Sequence, residues 1–184
     1  MNHEKIIKPV RHWVETLVVG LNLCPFAKRE LINNRVRFTV TEAATEQQLL
    51  ETLQAELQLL NDDQSIETTL LIHPDVLQVF YDYNEFLDYA DGLLVQMELD
   101  GIYQIASFHP NYQFADTEPD DVENYSNRSP YPLLHLIREQ SLEWAIASHP
   151  KPDPIPQRNV DLLKSLGQDK MQALFQSHFD ETEE

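Results

Sequence analysis

Three short β-strand patterns, separated by helical patterns, are the feature that most limits how this chain can fold. The strand patterns cover Arg35 to Val40, Thr68 to Ile72 and Ile102 to Phe108. Strands that are joined through a helix run parallel, with right-handed crossovers. The sequence therefore predicts an α/β fold with a small three-stranded, mainly parallel sheet (βαβαβ), packed with helices and extended by further helices at both ends of the chain.

Apolar residues at helical spacing predict the helices around these strands. The first covers residues 4–19. Cys24-Pro25 is expected to begin a short second helix that ends near Ile32, because proline suits a first helical turn. Thr45 and Gln48 form a capping box that predicts a third helix, ending near Leu60.

Three further helices are predicted after His73-Pro74 to about Met97, from Pro132 to about Ala147, and over residues 158–178. A hairpin around Asp100-Gly101 is the alternative for the residues before the third strand. The unbroken helical spacing into Met97 favours the helix. Trp13 and Trp144, at helical spacing with leucines, are predicted to be core residues. Residues 149–157, rich in proline, are predicted to be a stiff connector.

Length and charge define the broad class of the protein. The 184 residues fit one domain, expected over 1–178, followed by an acidic frayed tail over 179–184. The formal net charge is −18, and Phe38 to Asn127 contains 19 acidic residues with no Lys or Arg. Binding to DNA, RNA or anionic membranes needs clustered cations, so these partners are not expected. Cofactors and oligomeric state stay undetermined.

A cytoplasmic location is the expectation from the same sequence. Cys24 is the single cysteine, which excludes an internal disulfide and fits a reducing compartment. The chain begins with a polar segment that lacks the apolar core of a signal peptide. No apolar run approaches the ~20 residues that a membrane-spanning helix requires.

Topology predicts that several polar residues meet at one edge of the sheet. His73 and His109 each follow a strand, so both are expected at the carboxyl edge, where open α/β folds bind ligands. The short helix that begins at Cys24 is expected to point its N-terminus to the same edge. The Asn127-Arg128-Ser129 turn follows the third strand and is expected to end there at another helix.

Cys24, His73 and His109 are the residues predicted to carry chemistry. A thiol at a helix start, with Lys28 and Arg29 one turn away, is a potential nucleophile. The alternative is a small buried side chain. The two histidines could transfer protons, or bind a metal together with Cys24 or His135. The alternative is that each hydrogen-bonds the backbone at a strand end.

A second group is predicted to bind ligand rather than react. Arg128 is the first cation after ninety residues without one, and its guanidinium suits a carboxylate or phosphate. The alternative is an internal salt bridge to an acidic residue of the same loop. The remaining ligand-binding candidates lie near Arg128 or follow it: Tyr112, Asn127, Ser129 and His135.

Three motifs carry a resemblance to a known family. They are Asn22-Leu23-Cys24-Pro25-Phe26-Ala27, the segment from Phe108 to Phe114 and the segment from Asn124 to Glu139. In this order they resemble the signatures of a bacterial family that is known only as a domain of unknown function. The resemblance spans nearly the whole chain. It implies a bacterial origin but supplies no reaction, cofactor or catalytic residue.

Three functions follow as hypotheses. The first is an enzyme that binds a small anionic metabolite at the carboxyl edge, with Arg128 as the anchor. The second is a metal-binding protein that uses the same histidines. The third is a non-catalytic module whose acidic helical surface binds a basic partner protein.

Overall fold

A computed structural model describes residues 2–148 and 155–180, and in these residues four strands form one sheet. The sheet has the order β1-β2-β4-β3. The strands are β1 (Val36–Val40), β2 (Thr68–Ile72), β3 (Tyr103–Phe108) and β4 (Leu133–Arg138). β1 and β2 pair in parallel, whereas β4 pairs antiparallel with both β2 and β3. The α/β class is confirmed, but the prediction of three mainly parallel strands is wrong.

Seven α-helices surround the sheet in the described residues. They are α1 (His3–Trp13), α2 (Ala27–Ile32), α3 (Glu46–Asp62), α4 (Phe80–Gln96), α5 (Glu139–Ser148), α6 (Ile155–Leu166) and α7 (Gln168–Asp180). α1 continues into a π-helical turn, Val14–Val19, and a 3-10 helix covers Val122–Ser126. α3 and α4 pack on one face of the sheet. α1 packs on the other, and α7 packs against α1.

The fourth strand replaces the first half of a predicted helix. Residues from Pro132 onward were expected to be helical, but Leu133–Arg138 lies between β2 and β3. Leu133, Leu134 and Leu136 have no exposed surface, because a central strand is covered on both faces. Such a strand appears in the sequence as a continuous apolar run, which periodicity does not distinguish from a helix. Tertiary pairing decided the outcome.

Several predicted helix boundaries are also corrected. The short helix begins at Ala27 rather than Cys24, and Cys24 lies in the turn before it. The long helix does begin after His73-Pro74, but only at Phe80. The helix predicted over 158–178 is two helices, because Gly167 adopts a φ of +81° between them. Trp144 is 58% exposed, so its prediction as a core residue is wrong.

Other predictions agree with the structure or fall outside the described residues. Thr45 caps α3 by accepting the Gln48 N–H, as the capping box predicts. The segment before Asp100-Gly101 is helical, as the spacing favours. The predicted connector is undescribed over 149–154, and the predicted tail is undescribed over 181–184. None of the described helices combines the length and apolar character that crossing a membrane requires.

Candidate functional site

His73 and His109 do lie at the same edge of the sheet, but this edge is filled. β1, β2 and β3 run in one direction, so the residues after β2 and β3 flank the start of β4. Both imidazole rings contact Tyr83 of α4, with centroid distances of 5.8 Å and 5.2 Å. All three side chains have no exposed surface. We call these three residues the closed edge.

Backbone groups occupy most of the polar atoms at the closed edge. His109 donates from Nε2 to the Leu77 carbonyl (3.2 Å) and accepts the Asn111 N–H at Nδ1 (3.0 Å). His73 donates from Nδ1 to the Val76 carbonyl (3.0 Å), while its Nε2 has no partner and no access to solvent. Burial lowers the pKa of both histidines, that of His73 to about 4. Both rings are therefore neutral near pH 7 and fasten the loop before α4 to the sheet.

The Asn127-Arg128-Ser129 turn also bonds to nearby backbone. Arg128 donates to the carbonyls of Tyr112 (3.2 Å) and Pro119, and its guanidinium lies 4.7 Å from the Tyr125 ring centroid. Asn127 donates to the Ser107 carbonyl, and Ser129 donates to the Tyr131 carbonyl. These contacts hold the loop between β3 and β4 in shape. The loop ends at a strand, so no helix N-terminus adjoins Arg128.

A cavity of about 490 Å³ opens on the opposite face of the sheet from α3 and α4. Its floor comes from all four strands and consists of Val36, Thr68, Leu70, Ala106, Phe108, His135 and Ile137. One wall is formed by Trp13, Val14 and Val18, and another by Ser141, Leu142, Trp144, Ala145 and Ser148 of α5. His73 and His109 are not among the residues that line it.

Local structure explains how the first wall forms. Val14 and Val18 belong to the π-helical turn, where the helix widens by one residue, and such turns occur frequently at functional sites. Thr16 contributes to this geometry by donating from its hydroxyl to the His12 carbonyl at 2.7 Å. The chain then turns through Cys24, Pro25 and Phe26, which complete the wall before α2.

Cys24 and His135 are the two predicted site residues that line this cavity. Cys24 is partly exposed and lies three residues before α2, a helix of only six residues, so it does not begin the helix as predicted. His135 lies in β4, between Leu70 of β2 and Ala106 of β3. Its Nε2 lies 2.7 Å from Thr68 Oγ1, and burial lowers its pKa to about 4.

The charged side chains around the cavity are paired with other groups. Glu30 contacts Arg29 at 2.6 Å and Arg35 at 3.3 Å, and Glu67 contacts Arg35 at 2.5 Å. Arg138 donates to the carbonyls of Leu60, Asp63 and Ile66 and to the Tyr103 hydroxyl. The cavity is consequently an apolar space with a few polar groups.

The sequence predicted two of the lining residues, Cys24 and His135, as site residues, but it did not predict the others. It placed Cys24 at the carboxyl edge and His135 on a helix, so neither was expected at the centre of a sheet face. Trp13 is a core residue, as predicted, and it lines the cavity together with the exposed Trp144. Thr68 carried no signal beyond its strand pattern. Among residues 2–148 and 155–180, no three His, Cys, Asp or Glu side chains converge as a metal site would require.

Comparison with known proteins gives one match. The model of a family described as "Protein of unknown function (DUF1415)" matches residues 5–173. No curated protein and no solved structure was found to match the chain.

Proposed function

Because the chain belongs to the DUF1415 family, whose function is unknown, its activity has to be inferred from the site, and we propose that the protein binds a small, largely apolar molecule in the cavity. The cavity itself is the observation that carries this proposal. A space of about 490 Å³ is within the usual range for ligand sites, ~300–1,000 Å³.

The packing of α5 also supports the proposal. In the described part of the chain α5 has no buried residue, although Leu142, Trp144 and Ala145 line the cavity. Helices in proteins gain most of their stability from packing an apolar face. A ligand between α5 and the sheet would supply that packing, and the stack of Arg29 on Trp144, at 5.2 Å, would lie beside it.

The charges favour a neutral ligand over the small anion suggested by the sequence. Arg128 donates to loop carbonyls, and of the two arginines that line the cavity Arg29 pairs with Glu30 and Arg138 with backbone oxygens. An anion would have to displace these partners and lose its own hydration in an apolar space, which is costly. An uncharged molecule neither has to displace these partners nor loses the hydration of a charge.

Calorimetric titration with 4-ethylphenol tests the binding proposal on the full chain. We expect saturable binding at one site in the natural protein and at least a tenfold loss in Ala106→Phe, which fills the floor with a larger side chain. Ala55→Phe is the matched control, because Ala55 lies on the exposed surface of α3. Ala145→Phe, from the α5 wall, replaces Ala106→Phe if that variant does not fold. Equal binding by the filled variants and the control would disprove the proposal.

A second candidate function rests on the outer face of α4. Tyr81, Tyr89 and Val95 are each more than 55% exposed there, among acidic residues and within the ninety-residue stretch that has no Lys or Arg. Exposed apolar side chains that are surrounded by charges of one sign are typical of a surface that binds another protein. A basic partner segment would fit this face. Binding of a lysine-rich peptide tests this second function. Weaker binding by the double variant Tyr81→Ala/Tyr89→Ala, but not by the control Tyr131→Ala, would support the basic partner. Equal binding by the natural protein and both variants would exclude it.

A further inference from the structure

His135 lines the floor of the cavity from a strand that is paired on both sides. It belongs to β4, whose neighbours on both sides are strands, and its side chain lies on the cavity face between Leu70 and Ala106. A ring in this position can meet solvent only through the cavity. A molecule in the cavity can therefore contact the imidazole.

The hydrogen bonds around Thr68 determine which imidazole nitrogen carries the proton. Thr68 Oγ1 lies 2.6 Å from the Leu136 carbonyl oxygen and 2.7 Å from His135 Nε2. Two oxygens at such a distance require a proton between them, and only the hydroxyl can supply it. Thr68 thus donates to Leu136, so Nε2 of His135 must donate to Thr68. In the neutral ring the lone pair is then on Nδ1.

Among the described residues, no group hydrogen-bonds to His135 Nδ1. The atom also keeps some accessible surface, unlike the enclosed unpaired atoms such as His73 Nε2. It is an acceptor that a molecule in the cavity can reach. Burial lowers the pKa of His135 to about 4, which keeps this lone pair free near pH 7. Trp13 Nε1 also lacks a partner, but it is enclosed and out of reach of a ligand.

We propose that the natural ligand carries one O–H or N–H group, which donates to His135 Nδ1, on an otherwise apolar and uncharged body. This inference rests on the proposed binding function and narrows it to a ligand class, such as phenols, alcohols or simple amides. Thr68 is a positioning residue, because it fixes the ring and its tautomer without contacting the donor. Leaving Nδ1 unpaired under an apolar ligand carries a penalty, and this penalty gives the site its selectivity.

A matched pair of probes tests the inference. 4-Ethylphenol has a hydroxyl donor, whereas 4-ethylanisole has the same oxygen without a donor. Calorimetry on the full chain should show about tenfold tighter binding of the phenol. In His135→Leu this preference should disappear, with the anisole bound about as well as before. Thr68→Val should reduce the preference, and Thr68→Ser, which keeps the hydroxyl, should retain it.

Each outcome separates the two proposals. If neither probe binds the natural protein, the binding function itself fails. If both bind equally, the binding function stands and the donor requirement is overturned. A preference that survives unchanged in both His135→Leu and Thr68→Val would show that His135 is not the acceptor. If His135→Leu does not fold, the Thr68→Val and Thr68→Ser pair decides the question.

Discussion

The closed edge and the cavity contain the same chemical group in two different settings. At the closed edge His109 has partners at both ring nitrogens, and His73 has one nitrogen bonded and one sealed. In the cavity His135 has one nitrogen bonded and the other accessible. All three rings lie within the protein, and burial lowers the pKa of each. Burial alone therefore does not distinguish the three rings; the access of the second ring nitrogen does.

The two regions also differ in what surrounds the imidazole. The closed edge is covered by α4: Tyr83 stacks on His73 and contacts His109 at a tilt, and Phe80 contacts His109. The cavity is covered by α5, which packs no side chain into a core in the described residues. A covering helix that buries its apolar face removes the space a ligand would need. α5 buries no apolar face in the described residues, so the space between it and the sheet stays open.

The largest effect expected from this comparison is acid destabilisation. The unfolded chain protonates its histidines near pH 6.5, whereas folded His73 and His135 do so only near pH 4. Between these values the unfolded state binds more protons, so the free energy of unfolding falls as the pH decreases. The contribution of these two histidines should level off above about pH 7.5 and be lower by about 6 kcal/mol at pH 4. Urea unfolding at a series of pH values measures this change.

Single variants separate the two histidines in that experiment. His73→Leu and His135→Leu should each reduce the slope by ~1.4 kcal/mol per pH unit. If only His73→Leu reduces the slope, water in the cavity hydrates protonated His135. The pKa values of the two histidines then differ more than their burial suggests. A slope unchanged in both variants would contradict the low pKa of both rings.

A smaller loss of stability is expected from Tyr83→Phe at the closed edge. The Tyr83 hydroxyl accepts the Phe108 N–H at 2.9 Å and donates to the Leu133 carbonyl at 2.8 Å. Its removal deletes both hydrogen bonds, at a cost of about 1–3 kcal/mol in the free energy of unfolding. Tyr81→Phe is the control on the same helix, since Tyr81 is 69% exposed. A loss no greater than that of Tyr81→Phe would mean that water replaces the hydroxyl.

The smallest effect concerns the rate of a surface reaction, with no change in stability. Cys24 is partly exposed and lines the cavity, so a bound ligand should cover its thiol. Alkylation by iodoacetamide should slow as 4-ethylphenol saturates the protein, in proportion to the occupied fraction. N-acetylcysteine in the same solution should react at an unchanged rate. If the probe binds and the thiol reacts as before, Cys24 does not border the occupied part of the cavity.

The site was only partly accessible from the sequence. Strand ends at His73 and His109 were correctly expected to share an edge, because β1, β2 and β3 run in one direction. What fills that edge was not predictable, since the Tyr83 side chain reaches it from α4. His135 was named, but on a helix. Its role depends on neighbours from β2 and β3, which lie tens of residues away in the chain.

The sequence by itself determined the α/β class, the positions of β1 to β3, the cap of α3 and the resemblance to a family of unknown function. These follow from local periodicity, turn residues and motifs, which act over a few neighbouring positions. Only the tertiary structure decided that Leu133–Arg138 is a strand, that His73 and His109 are sealed, and that Cys24 and His135 share a cavity. The physical reason is that an apolar run satisfies both a helix and a central strand, and long-range pairing selects between them.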